Sequence, residues 1–147
     1  MALLAMATAF TALEAEILIE ALEPALSGLG MSELFAGVIV VALVGNAAEH
    51  YSAVTAAMNN EMTLALEISV GSSAQIALMV APVLVLLSYA IGSPMSLVFN
   101  AFEITAIGLS VLAIAMVSLD GESNWLEGLQ LLGVYLILAA AFYIIPG

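Results

Sequence analysis

Five long runs of apolar residues, separated by short polar or glycine-containing turns, make up most of this chain of 147 residues. A helix needs about 20 consecutive, mainly apolar residues to cross the hydrocarbon core of a bilayer. No stretch alternates between apolar and polar residues as a half-buried strand does. The pattern therefore predicts an all-α membrane protein of about five transmembrane helices, which we place at residues 3–22, 33–58, 63–91, 97–119 and 125–145.

Polar or helix-breaking residues interrupt two of these runs. The second run contains the sequence GNAAEH at residues 45–50. The third contains GSSAQ at residues 71–75, then Pro82, and it is longer than one straight crossing requires. Glycine and proline inside a helix are common causes of sharp bends, so we expect the third helix to be kinked or broken.

Two helix starts carry capping residues. Ser32 precedes the second helix and is a candidate N-cap. Asn124 followed by Glu127 resembles a capping box, which would open the last helix. Trp125 and Tyr143 stand near the two ends of that helix, where interfacial aromatic residues belong. We interpret residues 1–147 as a single five-helix unit.

The composition agrees with a lipid environment. Hydrophobic residues make up 65% of the chain and charged residues only 8%, whereas soluble domains carry about a quarter charged residues. So few charges cannot coat a globule in water, and the lipid bilayer is therefore the main partner that we expect. The chain has no cysteine, which excludes disulfide bonds and thiolate metal sites.

The charge balance is one-sided, with twelve acidic residues and no Lys or Arg. Nucleic-acid binding needs basic residues that face phosphates, so nucleic acid is excluded as a partner. Membrane orientation normally follows Lys and Arg in the short loops, and this chain carries no such signal. Two interpretations stay open: the protein inserts in both orientations, or its basic residues were removed by selection or design.

Glu49 is the strongest functional candidate. A charge at the membrane centre costs at least about 2.5 kcal/mol, so a carboxylate there is by default a functional hypothesis. Asn46 precedes Glu49 by one helical turn on the same face, and Gly45 permits a break in the backbone. Hard cations such as Ca²⁺ bind carboxylate, amide and freed carbonyl oxygens, and a broken helix with Asn and Glu offers all three. The alternative is a structural Glu49 paired with a neighbour, for which His50 is the local cation.

The third helix carries a polar stripe at spacings of three residues, formed by Ser69, Ser72 and Gln75. Small and hydroxylated residues are also ordinary at contacts between membrane helices, so the stripe alone fits both a site and a packing surface. Beside GNAAEH we interpret Ser72 and Gln75 as ligands, together with Asn46 and Glu49. Ser69 and Ser73 are weaker candidates for the same pathway.

Other polar residues allow two interpretations each. His50 can take part in proton transfer near neutral pH or can serve as a packing and hydrogen-bonding residue. Glu16, Glu20 and Glu23 share a face of the first helix, either as an acidic vestibule or within the headgroup zone. Glu103 lies about two turns into its predicted helix and fits either environment.

No pattern in the sequence is typical of an enzyme. A nucleophile–base pair, a phosphate-binding loop and a nicotinamide fingerprint are all missing from it. We therefore assign no catalytic and no cofactor-binding residues, and the chain is not expected to be a soluble enzyme.

Several motifs together resemble the C-terminal half of a calcium/proton exchanger of the Ca²⁺:cation antiporter superfamily. They are GNAAEH at residues 45–50, GSSAQIALMVAP at 71–82, and DGESNWLEG at 120–128, with the pairs Pro94-Met95 and Phe102-Glu103 between them. The resemblance implies an inverted-repeat fold with five helices in each half and a cation site at the repeat interface. It also implies that Glu49 alternately binds Ca²⁺ and protons.

The same resemblance implies that Asn46, Ser72 and Gln75 line the pathway, with Ser73 and His50 as further candidates. The chain departs from the family pattern in holding one acidic motif where family members hold two. Asn59, Glu61 and Glu122 stand where lysine is expected, and Glu67 stands where a small residue is more usual.

These observations lead to one function and three alternatives. Burial disfavours an ionised carboxylate whereas a bound divalent ion favours it, so ion and proton compete for Glu49. We expect Ca²⁺/H⁺ antiport by an assembly of two half-units, as a homodimer in which two copies of Glu49 face a shared cavity. The alternatives are a half-protein with a different partner, a passive cation pathway, and a structural or designed membrane protein that transports nothing. The oxygen ligands do not distinguish Ca²⁺ from Mn²⁺ or Na⁺.

Overall fold

The computed structural model describes residues 1–145, with their side chains except at positions 23 and 27. Helices are the only regular elements in this part of the chain, and no strand occurs among them. The helices are α1 (Ala2–Leu29), α2 (Glu33–Gly45), α3 (Ala47–Met58), α4 (Met62–Ile91), α5 (Ala101–Val117) and α6 (Trp125–Ile144).

Two compact units divide the chain. The first joins residues 1–43 to the C-terminal residues from Ala139 onward, and the second spans Val44–Leu138. In the first unit Ala36 and Phe142 are buried, and the rings of Phe35 and Tyr143 meet edge to face with centroids 5.3 Å apart. Edge-to-face geometry is a preferred arrangement of aromatic pairs. The buried Ala36 and Phe142, together with this pair, mark the core of the first unit.

Helix α1 continues through Pro24, beyond the predicted end at residue 22, and ends at Leu29. Its sequence is rich in Ala, Leu and Glu, which have high helix propensity and outweigh one lost hydrogen bond at the proline. The helix stops at Gly30, whose φ of 64° is left-handed and whose N–H donates to the carbonyl of Leu26. Glycine adopts this conformation without a steric penalty and is therefore common just after a helix.

Ser32 caps α2 as the sequence predicts, because its hydroxyl accepts a hydrogen bond from the Phe35 N–H at 3.1 Å. The span then bends by 55° between α2 and α3. The bend falls at Asn46, whose φ of −101° and ψ of 17° lie outside the helical range. The second predicted helix is thus two helices joined at the polar motif.

Helices α3 and α4 form a hairpin in the second unit. Asn60 adopts a left-handed φ of 64° in the turn, and the N–H groups of Asn60 and Glu61 donate to the carbonyls of Ala57 and Ala56 at 3.0 and 2.9 Å. This is a Schellman arrangement, which satisfies the last carbonyls of α3 and reverses the chain. Ala56 and Ala65, on opposite sides of the turn, are only 5% and 7% exposed. Their small side chains allow the two helices to approach closely.

The remaining helices complete the set of candidate membrane spans. Among the described residues, α1, α4 and α6 are long and apolar enough to cross a membrane, and the bent pair α2–α3 makes a fourth span when counted as one. Helix α5 is apolar but has only 17 residues. It begins at Ala101, later than the predicted residue 97, because Asn100 and Glu103 form a capping box that fixes the helix start. The all-α membrane fold predicted from the sequence is confirmed.

The close approach in the hairpin predicts a steric effect. We expect Ala56→Leu and Ala65→Leu each to lower the free energy of unfolding by about 1–3 kcal/mol, because added methylene groups overpack the contact. Ala115→Leu, at an exposed position of α5, serves as the control. Reversible unfolding in detergent measures the effect. Equal stability of all three variants would contradict the packing assigned to the hairpin.

Candidate functional site

Asn46 and Glu49 lie where the bent span changes direction. Asn46 is half-buried and precedes the first residue of α3, and its carbonyl accepts the His50 N–H at 2.9 Å. Glu49 is in the first turn of α3, with an exposed side chain. The side chains of Glu49 and His50 form no hydrogen bond or ion pair with any described residue. The carboxylate is therefore open to an external ligand.

The spacing Asn-x-x-Glu occurs three times in this chain, and two of the three form closed capping boxes. The Asn100 N–H donates to Glu103 Oε2 at 2.6 Å, and the Glu103 N–H donates to Asn100 Oδ1 at 2.9 Å. The Asn124 N–H likewise donates to Glu127 Oε2 at 3.1 Å, and the Glu127 N–H donates to Asn124 Oδ1 at 3.1 Å. Both acids thus have local structural roles at helix starts.

The third pair, Asn46 and Glu49, does not form this box. The side chain of Asn46 makes no hydrogen bond that caps α3. The reason lies in the backbone: Asn100 has an extended ψ of 169°, as an N-cap requires, whereas Asn46 has a ψ of 17°. At the bend the backbone of Asn46 is not extended, and an N-cap residue needs an extended backbone, so the Asn46 side chain does not cap α3. The structure thus separates this pair from two sequence-similar pairs with structural roles.

The hairpin brings the two polar segments to similar depths. Measured along their helices at about 1.5 Å per residue, Glu49 and Ser72 lie about 16 and 18 Å from Asn60. Asn46 and Gln75 lie about 21 and 22 Å from the same turn. Since the hydrocarbon core is about 30 Å thick, Glu49 and Ser72 fall near its middle when the turn lies at a membrane surface, and Asn46 and Gln75 lie about 6–7 Å beyond it. Helices α3 and α4 pack against each other, so these depths correspond across the hairpin.

The serines of α4 differ in how their hydroxyl groups are used. The hydroxyls of Ser69 and Ser73 donate to the carbonyls of Ala65 and Ser69 at 2.9 and 3.0 Å. This bond to the preceding turn is common for serine inside a helix, and it leaves the oxygen as an acceptor only. The half-buried Ser72 makes no such bond within the described chain. Its hydroxyl is thus open to a ligand.

Gln75 is exposed and stands at the end of an α-helical stretch of α4. Directly after it, the Ile76 N–H is shared between the carbonyls of Ser72 and Ser73, and the helix widens into a π-helical turn at Ile76–Val80. The structure thus has a widened turn before Pro82, and the kink or break expected in the third helix stays a prediction. The sequence contained no direct signal for π-helical hydrogen bonding.

The other candidate residues lie elsewhere. Glu16 and Glu20 are exposed on α1 in the first unit, and the side chain of Glu23 falls outside the described ones. Glu103 has a capping role that the sequence already indicated, since Asn100 precedes it by three residues. A place for Glu16, Glu20 or Glu103 in an ion pathway stays a prediction.

Within residues 1–145, the structure brings together no group of three or more His, Asp or Glu side chains suited to a metal ion. Asn46, Glu49, Ser72 and Gln75 offer one carboxylate, two amides and one hydroxyl. Ca²⁺ takes about six to eight oxygen ligands, often with several carboxylates. Four such side chains would fill only part of that shell, and their role as ligands stays a prediction.

A sequence model of the family described as "Sodium/calcium exchanger protein" matches residues 1–144. The chain belongs to the sodium/calcium exchanger family. It is 49% identical, over 144 residues, to a Ca(2+)/H(+) antiporter of Aphanothece halophytica, and the match covers 98% of this chain and 39% of that protein. It is 47% identical, over 139 residues, to the Ca(2+)/H(+) antiporter ChaA of Bacillus subtilis, covering 95% of this chain and 40% of that one.

A solved structure has the same fold. The structure titled "Structure of native YfkE" superposes with a TM-score of 0.82 at 48% sequence identity, covering 88% of this chain and 41% of that chain. The exchanger family member described here is an integral membrane protein of a transporter family and not an enzyme, as the sequence predicts. It spans about two fifths of the length of these two antiporters.

The capping role of Glu103 predicts a difference between two substitutions. We expect Glu103→Ala to lower the free energy of unfolding by about 1 kcal/mol, because the Asn100 N–H loses its partner. Glu103→Gln should keep most of that stability, since glutamine also closes a capping box. Unfolding in detergent measures both. If Glu103→Gln abolished cation flux while leaving stability unchanged, Glu103 would belong to an ion pathway instead.

Proposed function

We propose that this chain supplies one half of a Ca²⁺/H⁺ antiport site, in which Glu49 binds either Ca²⁺ or a proton. The observation that carries the proposal is the identity of nearly half of all aligned residues, along almost the whole chain, to proteins named Ca(2+)/H(+) antiporters. The unbonded Glu49 carboxylate supports it, because the glutamates of the two similar pairs close capping boxes.

The exchange chemistry follows from the surroundings of Glu49. Away from water an ionised carboxylate is costly unless a cation neutralises it, and the sequence holds no Lys or Arg for that purpose. Glu49 in the membrane is thus neutral with a proton or paired with the transported ion. Release of one allows binding of the other. Alternating exposure of this site to the two sides of the membrane converts the competition into antiport.

Asn46, Ser72 and Gln75 complete the proposed ligand set from one chain. Their amide and hydroxyl oxygens are neutral, so they add coordination without further charge. Ser69 and Ser73 present oxygens whose hydrogens already bind the helix backbone, which suits them to line the path of a cation. His50 follows Glu49 and is proposed as a group that receives or delivers the proton.

We propose that a second copy of the chain supplies the rest of the site. One copy offers a single carboxylate among the proposed ligands, whereas two copies would place two Glu49 side chains around one ion. Transporters with inverted repeats place the site between halves of opposite orientation. The absence of Lys and Arg supports such an arrangement, because no loop favours one orientation over the other.

The antiport proposal predicts a specific loss in Glu49→Gln. A pH gradient across liposomes should drive Ca²⁺ uptake by the unsubstituted protein, and the substitution should reduce it at least about tenfold because the neutral amide cannot exchange a proton for the ion. Glu67→Gln, an exposed carboxylate on α4, is the matched control and should retain uptake. Equal leak in all three proteins would indicate a passive pathway, and no flux in any would indicate a structural protein.

The assembly proposal predicts dual orientation. A single cysteine at Asn59, in the exposed hairpin turn, should react with an impermeant maleimide from both sides of a vesicle in similar amounts. Adding lysine at the same turn through Glu61→Lys should bias the orientation and lower Ca²⁺ uptake. The mass that the protein adds to each nanodisc should be about twice the 15.1 kDa of one chain. A monomer that transports Ca²⁺ would rule out the dimer and leave the antiport proposal standing.

A further inference from the structure

Two π-helical turns occur in the helices described here. One, at Ala36–Val41, lies in α2 before Asn46, and the other, at Ile76–Val80, begins in α4 directly after Gln75. In the second turn the Ala81 N–H donates to the carbonyl of Ile76, five residues back. π-helical turns are rare and are frequently found at functional sites. Both turns in this chain belong to the spans that carry the proposed ligands.

Proline alone does not account for these turns. Pro82 follows the turn in α4, and its ring would clash with the carbonyl four residues earlier in a regular α-helix. However, Pro24 lies inside α1 without any π-helical turn around it. The turn at Ala36–Val41 is followed by Ala42 and contains no proline. Proline is therefore not the common cause of the two widened turns.

We propose that Ile76–Val80 is a hinge that switches between π-helical and α-helical hydrogen bonding. A shift of the bonds by one residue would rotate the part of α4 after Ala81, relative to Ser72 and Gln75, by about 100° and move it by about 1.5 Å. Pro82 disfavours the α-helical register because it has no N–H and its ring opposes the carbonyl of Leu78. The proline thereby keeps the α-helical register from dominating.

The hinge gives the transport cycle a local conformational change. Ser72 and Gln75 stand on one side of the turn, and the apolar half of α4 stands on the other. Switching would turn the two ligands relative to that half without unfolding the helix. This coupling to Ca²⁺ rests on the proposed function, whereas the hinge itself is a property of α4.

The chain has no cysteine, so two introduced cysteines can carry spin labels without removing any native residue. Leu66→Cys and Leu86→Cys lie in α4 on either side of the hinge, at positions that are 48% and 72% exposed. Their separation is measured by pulsed electron spin resonance on the full chain in nanodiscs. We expect two distances between the labels in the unsubstituted helix, which differ by at least about the 1.5 Å rise of one residue. After Pro82→Ala we expect a single distance. Pro24→Ala is the matched control and should leave both distances in place.

Addition of Ca²⁺ should shift the populations of the two distances, and the shift should be lost in Glu49→Gln. One unchanged distance in the labelled protein and in Pro82→Ala would overturn the hinge. Should Pro82→Ala not fold, the distances in the labelled protein with and without Ca²⁺ decide: one distance under both conditions overturns the hinge. Ca²⁺ that binds to the labelled protein without shifting the populations overturns the coupling. If no Ca²⁺ binds, the proposed function fails, and the comparison with Pro82→Ala still tests the hinge.

Discussion

A carboxylate in the hydrocarbon region of a membrane needs a proton or a cation, and this chain has no Lys or Arg to serve as a permanent partner. That constraint gives Glu49 its significance. Two acids at the same Asn-x-x-Glu spacing have a structural role, because Glu103 and Glu127 close capping boxes at helix starts. Glu49 has no such local bond. The need to neutralise it connects the fold to the proposed exchange of ion and proton.

The bend at Asn46 is the structural feature that leaves Glu49 open. If the backbone at Asn46 were extended, Asn46 and Glu49 would close a capping box, and the carboxylate would serve the helix end. Because the chain instead passes from α2 to α3 at 55°, the box is not formed. The hairpin turn at Asn60 then returns α4 along α3, so that Ser72 and Gln75 reach the depth of the same motif. Two local backbone conformations thus determine the depths at which these polar side chains lie.

The family relationship and the structure support different parts of the functional argument. The relatives supply the chemistry, since proteins named Ca(2+)/H(+) antiporters share about half of the aligned residues with this chain. The structure distinguishes the Asn46–Glu49 pair, which forms no capping box, from the two similar Asn-x-x-Glu pairs, which do. The chain also covers about two fifths of those relatives, and its four proposed ligands fill only part of a Ca²⁺ coordination shell. A complementary half is therefore central to the proposed mechanism.

The sequence by itself determined the solvent, the helical class and the residues worth testing. Long apolar runs with 8% charged residues fold as helices in lipid because no other open structure satisfies backbone hydrogen bonds there. Capping at Ser32 and at Asn124 could be predicted from the sequence because a cap involves residues only a few positions apart. The resemblance to exchangers was also visible in short motifs.

Only the tertiary structure decided which Asn-x-x-Glu pair forms no capping box and how α4 accommodates its irregular segment. The three pairs have the same spacing, so they differ only in the path of the backbone at the asparagine. The π-helical turn at Ile76–Val80 likewise depends on which carbonyl each N–H selects, and Pro24 demonstrates that proline does not specify that choice. Backbone paths and hydrogen-bond registers are set by neighbouring helices as well as by local residues, and apolar periodicity does not encode them.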